Sequence, residues 1–375
     1  MTSVLREHSE YLTLPGRQSL FEQALAKTIG PGDVVADLGC GVGVLGQAAL
    51  RAGAARVYGI DHSDALELAR ETARRTGTAD RYICLRDSTY RAQLPEQVDL
   101  LLCDHVGFFG FDYGIIAMLA DARERLLKPG GRIMPRRLRL FMAGVEAPAA
   151  REKVDRWAAD PVPSELRWIH QHSVNAPFSH DFEPADLLTD PSMLGEIVLT
   201  DPVADALRYS ISLTATRPGM FHGLAAWFAC ELAEDVWMTN SPVDPASIGR
   251  GNLFLPAAQP FAVKAGETVT VDLRLRHEVP IISWTITPPG GLPPQRLSTW
   301  NSEMLKPEDL VSGSNLPLSA NQTGEARRLV LDLLDGTRTG AEIARVMASQ
   351  HAHLMPSAAE MDRFVRAVLD ADART

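Results

Sequence analysis

Three glycines within five residues, Gly39, Gly41 and Gly43, follow the apolar run Val34-Val35-Ala36, and an acid, Asp61, closes the next apolar segment. Glycines in this spacing let a chain turn tightly and approach a ligand closely. A helix starting near Gly43 would direct its first N–H groups toward that ligand, and an acid at the end of the second strand is placed to accept hydrogen bonds from ribose hydroxyls. This is the front half of a nucleotide-binding βαβ unit. Gly41-Val-Gly-Val-Leu-Gly46 also satisfies the dinucleotide pattern G-x-G-x-x-G, which alone is weakly specific. Asp37, just before the first glycine, argues against a dinucleotide. A carboxylate there suits the cationic amino end of a methionine moiety and would repel a pyrophosphate, so S-adenosylmethionine is the expected nucleotide.

The elements that must carry these residues follow from periodicity. Residues 9–28 have helical spacing with a break at Pro15-Gly16, and strand-like and helix-like runs then alternate to about residue 145. Tyr82–Leu85 and Val98–Asp104 read as strands, Tyr113–Leu127 as a helix, and Arg132–Met134 as a strand after the Pro129-Gly-Gly131 turn. Such alternation implies a mainly parallel sheet covered on both faces. After Pro135 the pattern becomes strand-rich, with runs at 138–145, 195–199, 207–215, 223–232, 268–275 and 281–286, as in an all-β barrel or sandwich. Residues 148–182 are partly helical and carry Trp157 and Trp168, as expected of an insertion. Beyond a polar stretch around Ser312 to Thr323, three short helices are expected at 325–334, 341–349 and 357–369, the second capped by Thr339 or Gly340. The implied organisation is 1–136, 137–300 with an insertion at about 150–182, and 301–375.

Composition narrows the function classes. The 375 residues are 45% apolar with a formal net charge of −10, which supports sizeable cores and argues against a nucleic-acid partner. Four scattered cysteines lack metal-ligand or disulfide-framework spacing. His170, His172 and His180 lie close together but without a tight metal signature, so no metal site is expected. The first residues do not resemble a signal peptide, and no window approaches an apolar membrane span. A soluble, cytoplasmic protein is expected.

From residue 8 to about 285 the chain resembles the protein arginine methyltransferases. The resemblance rests on His8-Ser-Glu-Tyr-Leu-Thr-Leu-Pro-Gly-Arg17, on the glycine loop with Asp61, on residues 98–113 together with 126–135, and on 221–232, 238–242 and 261–267. It implies a seven-stranded, doubly wound S-adenosylmethionine-binding domain, then a β-barrel, with a dimerisation arm in the 150–182 insertion and a homodimeric state. By the same match Arg17 would pair with the methionine carboxylate of the cofactor, and Ser88 and Tyr90, with Asp87, are candidates for adenine contacts. The family's loop after the fourth strand carries two glutamates that grip the acceptor guanidinium. Here the first position is Asp104, and the second falls at Asp112 or its neighbour Tyr113. Where the family has a Thr-His-Trp loop, this chain has Ala246-Ser-Ile-Gly-Arg-Gly251.

A guanidinium is protonated at ordinary pH and offers little lone-pair density. Flanking carboxylates orient one nitrogen and stabilise the charge that moves during transfer, while most of the acceleration comes from positioning. Asp104 and Asp112 are the expected catalytic acids, with His105 available as proton acceptor for a less basic acceptor. The expected activity is N-methylation of a guanidino or amino group on a peptide, free arginine or a natural-product intermediate. The altered acceptor loops also allow O-methylation of a small natural product, or a cofactor-binding regulatory protein without turnover. Residues 333–343 resemble a helical module of peptide-modification systems, of the PqqD-like or winged-helix-like kind, which implies a bacterial protein.

Overall fold

The computed structural model describes residues 4–303 and 319–373, and the chain forms two compact units, Met1–Met304 and Leu305–Thr375. In the larger unit, helices α1 (Val4–Leu12) and α2 (Arg17–Thr28) precede strand β1 (Val34–Leu38), and the break between them falls at the expected Pro15-Gly16. Strand β1 is followed by α3 (Val44–Arg51), β2 (Arg56–Asp61), α4 (Ala65–Arg75), β3 (Tyr82–Arg86), β4 (Val98–Cys103), α5 (Ile115–Arg125) and β5 (Leu127–Met134). All five residues of β1 are buried, as a strand covered on both faces requires.

The strands form one parallel sheet in the order β3-β2-β1-β4-β5. The expected seven strands are therefore five. The chain leaves this sheet at Pro135 and enters β6 (Arg137–Val145), which pairs with antiparallel neighbours instead of returning. The order reverses between β1 and β4, and a crevice outside the carboxyl ends of two such strands is where open α/β sheets bind ligands.

The rest of this unit is the expected antiparallel β-barrel region. Its strands are β7 (Phe178–His180), β8 (Ser192–Val198), β9 (Ala206–Thr214), β10 (Gly219–Ala233), β11 (Val236–Thr239), β12 (Asn252–Val263), β13 (Thr268–Arg276), β14 (Ile281–Thr287) and β15 (Gln295–Ser298). They form a sheet β7-β12-β10-β6-β8 with β11 beside β10, and a second sheet β15-β14-β13-β9. Strand β13 alternates, burying Val269, Val271, Leu273 and Leu275. Strand β10 is buried along both faces. Leu224, Ala226 and Phe228 join the main core, while Ala225 and Trp227 pack with Ala150 and Val154 of α6 (Pro148–Asp155) and with Phe182 in a satellite core. That satellite core anchors the 150–182 insertion. Strand β12 escaped the sequence reading because Pro256 and Pro260 interrupt its pattern.

In the smaller unit the described residues form helices Gln322–Asp332, Gly340–Gln350 and Ala358–Asp372 around Val330, Ile343, Met347, Met361 and Val365. Asn321, Thr339 and Ser357 cap them, Thr339 through a reciprocal capping box with Glu342. These residues contain no strand, so no wing is found among them. The polar stretch expected from Ser312 lies, up to residue 318, outside the described residues. Among the described residues no helix is long and apolar enough to cross a membrane.

Candidate active site

The parallel register sets the site. Leu38 is level with Ile60 on one side and Cys103 on the other, so the glycine loop, Asp61 and Asp104 emerge together at the strand ends. The loop holds Gly39 at φ +66° and Gly43 at φ +80°, a region that side chains rarely adopt. A Cβ on Gly39 would overlap the His105 ring, and one on Gly43 would come within 2.9 Å of Ala69 and the Tyr82 hydroxyl. Glycine is thus required both by conformation and by close approach. The side chain of Asp61 fixes this loop by accepting the Gly41 and Ser63 N–H groups, each at 2.8 Å.

Asp37 is 2% exposed and accepts the Gly46 N–H at 2.9 Å and the Tyr82 hydroxyl at 3.4 Å. Burial pushes its carboxyl up to about 7, opposed by those two hydrogen bonds and reinforced by the negative charges of Asp61 and Asp104. At the end of β4, Asp104 accepts the Arg17 Nε–H at 2.8 Å and a second hydrogen bond from the same guanidinium. Both side chains are largely buried, at 7% and 10% exposure. The other Asp104 oxygen, Oδ1, is buried without a partner. Burial pushes the neighbouring His105 imidazole below its ordinary value, against the opposing charges of Asp104 and Asp61.

A cavity of about 350 Å³ joins these groups, walled by Arg17, Asp37, the 39–42 loop, Asp61, Asp104 and His105. Arg17, Asp37, Gly39, Gly41, Asp61, Asp104 and His105 of the sequence-derived residues therefore meet, while Gly43 stands behind the loop, against α4 and β3. Three others do not reach it. Both oxygens of Asp112 accept backbone N–H groups of its own loop, from Phe108 at 2.9 Å and Phe109 at 2.8 Å. It faces a separate cavity with Phe178 and Ile282, so Asp112 does not supply the second carboxylate expected opposite Asp104. The residue of the second position that does line the Asp104 cavity is Tyr113. The Ser88 hydroxyl accepts the Tyr90 N–H at 3.3 Å, closing a turn after β3, and Tyr90 lines a surface cleft with Leu94 and Arg125.

Sequence reasoning missed His62 and Ser63, whose signal was their position directly after Asp61, and Tyr11, which it read only as an apolar helix position. It also missed Arg250. This guanidinium is stacked over Tyr11 at 4.5 Å, Phe108 at 5.0 Å and Tyr113 at 5.3 Å. Asn240 joins its loop to the one that carries Asp112, donating to the Phe108 carbonyl at 2.8 Å and the Gly251 carbonyl at 3.0 Å. The histidines of the insertion have separate roles. His170 pairs with Asp155, His172 with the Asn301 carbonyl, and His180 packs edge-on against Phe182.

The profile of the ribosomal protein L11 methyltransferase (PrmA) family matches residues 19–135. A probable protein arginine N-methyltransferase 6 of Arabidopsis thaliana is 25% identical over 254 residues, 65% of this chain and 58% of that protein. The chain likewise spans only 63% of the two rice relatives, which are probable protein arginine N-methyltransferases 6.2. An arginine N(omega)-methyltransferase of Streptomyces achromogenes subsp. streptozoticus is 29% identical over 276 residues, covering 72% of this chain and 76% of the relative. In fold, the chain is similar to the Trypanosoma brucei PRMT1 enzyme–prozyme heterotetramer with AdoHcy, with a TM-score of 0.68, 22% identity, and 78% and 97% of the two chains covered.

Proposed function

We propose that this chain, a relative of the protein arginine methyltransferases, is an S-adenosylmethionine-dependent N-methyltransferase acting on a guanidino or amino group. The observation that carries the reading is the Asp104 carboxylate. One oxygen is fixed by Arg17, the other is buried and unpartnered, and both stand in the wall shared with the glycine loop and Asp61.

The residues present fit the cofactor. Asp61 would take the ribose hydroxyls and Asp37 the methionine ammonium, and Arg17 is a guanidinium fork suited to its carboxylate. The glycine loop gives the close approach that its missing Cβ atoms allow. When bound, S-adenosylmethionine supplies a methyl group on a positively charged sulfur, open to in-line displacement. Asp104 would orient one acceptor nitrogen and offset the charge that remains on the product. The carboxylate is held ready for this because Arg17 and the end of β4 immobilise it before any acceptor arrives.

With Asp112 turned into its own loop, neither candidate for the family's second glutamate sets a carboxylate opposite Asp104. His105, whose imidazole burial shifts toward the neutral form, stands beside Asp104 as a base for an acceptor less basic than guanidine. That observation supports O-methylation as a second reading. The exposed Trp157 and Trp168 of the insertion support a homodimer formed through residues 150–182, which sedimentation at graded concentrations would test.

Calorimetry with S-adenosylmethionine and labelled-methyl transfer to arginine peptides, free arginine and phenols tests the assignment. Cofactor binding with transfer to a guanidino group is expected, and Asp104→Asn should lower kcat/KM roughly 100- to 1,000-fold, the scale of losing one preorganised electrostatic group. Unchanged transfer in that variant would remove Asp104 from the chemistry. Transfer only to phenols would establish the second reading.

A further inference from the structure

Arg250 is 8% exposed and, among the described residues, has no carboxylate partner of the kind a buried guanidinium needs. Whereas Arg17 is paired with Asp104, no carboxylate among the described residues forms an ion pair with Arg250. Its terminal nitrogen donates to the Tyr11 hydroxyl at 2.6 Å, and three aromatic faces surround it. Its Nε is buried with no acceptor among the described residues. Asp112 feels the Arg250 charge, but both its oxygens are committed to the Phe108 and Phe109 N–H groups. A cation desolvated in this way is costly unless an anion meets it.

The position of Arg250 indicates where that anion comes from. Two of the rings it stacks on, Tyr11 and Tyr113, line the cavity that contains Asp104. Its charge also reaches His105, where it disfavours the imidazolium. The cavity thus has the Asp104 carboxylate at the end of β4, with Asp37 and Asp61 on the same wall, and the Arg250 guanidinium behind the Tyr11 and Tyr113 rings. An acceptor that is only a cation is attracted by the first and repelled by the second. One carrying both charges satisfies both.

We infer that Arg250 recognises an anionic group carried by the acceptor itself, a carboxylate above all. The acceptor is then a small, amino-acid-like zwitterion and not an arginine within a peptide chain. This rests on the methyltransferase reading above and names its substrate class.

The test compares free arginine, agmatine (the same guanidine without the carboxylate) and a peptide with an internal arginine, in the wild-type protein and in Arg250→Gln and Arg250→Lys. Wild-type kcat/KM should favour free arginine over agmatine by roughly 10- to 100-fold, the value of a hydrogen bond to a charged group. The ratio should fall toward one in Arg250→Gln and recover in part in Arg250→Lys. Equal use of arginine and agmatine by the wild type, preference for the peptide, or a ratio that survives in Arg250→Gln would overturn the inference. Calorimetric titration of arginine and agmatine into protein loaded with S-adenosylhomocysteine reads the same difference without turnover, and equal affinities there overturn it too. Failure to transfer to any guanidino acceptor, despite cofactor binding and tighter arginine binding, would refute the N-methylation reading and leave the role of Arg250 standing.

Discussion

Asp37 should make cofactor binding depend on pH near neutrality. Its carboxyl is enclosed at the end of β1, and burial, with Asp61 and Asp104 nearby, pushes it up to about 7. Without ligand, the fold favours the protonated acid. That contribution to stability is complete below the ordinary 3.8 of an unfolded aspartate and is lost as pH rises through about 7. At about 1.36 kcal/mol per pH unit, the displacement from 3.8 to about 7 amounts to about 4 kcal/mol. A ligand ammonium placed against Asp37 reverses the preference, because an opposite charge at contact favours the carboxylate. Binding should therefore drive a proton off. Between pH 6 and pH 8 the ionised fraction climbs from about one-tenth to about nine-tenths, so affinity should tighten about tenfold, or about 1.4 kcal/mol. Calorimetry with S-adenosylhomocysteine, which keeps the ammonium, in buffers of different ionisation enthalpy would show close to one proton released at pH 6 and few at pH 8. In Asp37→Asn both the slope and the proton release should vanish. A flat affinity across this range with no proton released would refute the assignment of Asp37 to the ammonium.

Two further substitutions test the scaffold around the site. Gly43→Ala, which sets a Cβ at φ +80° and 2.9 Å from Ala69 and Tyr82, should cost about 1–3 kcal/mol in denaturant unfolding; a loss under 0.5 kcal/mol would show that the loop relaxes freely. Asp112→Ala leaves the Phe108 and Phe109 N–H groups without their acceptor and should lower stability by about 2–4 kcal/mol. S-adenosylmethionine affinity should stay within about threefold, since Asp112 faces the other cavity, and a larger loss of affinity with stability intact would place it in the cofactor site after all.

The sheet and the crevice at its strand ends were legible because their requirements are local. An all-apolar strand, glycines where a side chain cannot fit, and an acid one strand later are each written in a few consecutive residues, and the structure brings Asp37, Gly39, Gly41 and Asp61 to one crevice. The acceptor side was less legible. Asp104 and Asp112 look alike in sequence, yet one ends β4 with a free oxygen while the other closes a tight turn on its own backbone. Ser88 is a similar case, since its hydroxyl accepts the Tyr90 N–H in the turn after β3. The missing sixth and seventh strands reflect pairing: β6 finds β8 and β10, far along the chain, and no local pattern records that choice.

From its residues alone, then, the chain specified a parallel sheet with a glycine-lined crevice at its strand ends, a β-rich second region and a capped three-helix tail. Those follow from periodicity and from backbone conformations that only certain residues adopt. Only tertiary packing decided that Arg17 meets Asp104 across 87 positions and Arg250 meets Tyr11 across 239, and that Asp112 turns away. Which charges end up paired depends on which strand ends converge and what water they exclude, a property of the assembled core that no short stretch of sequence contains.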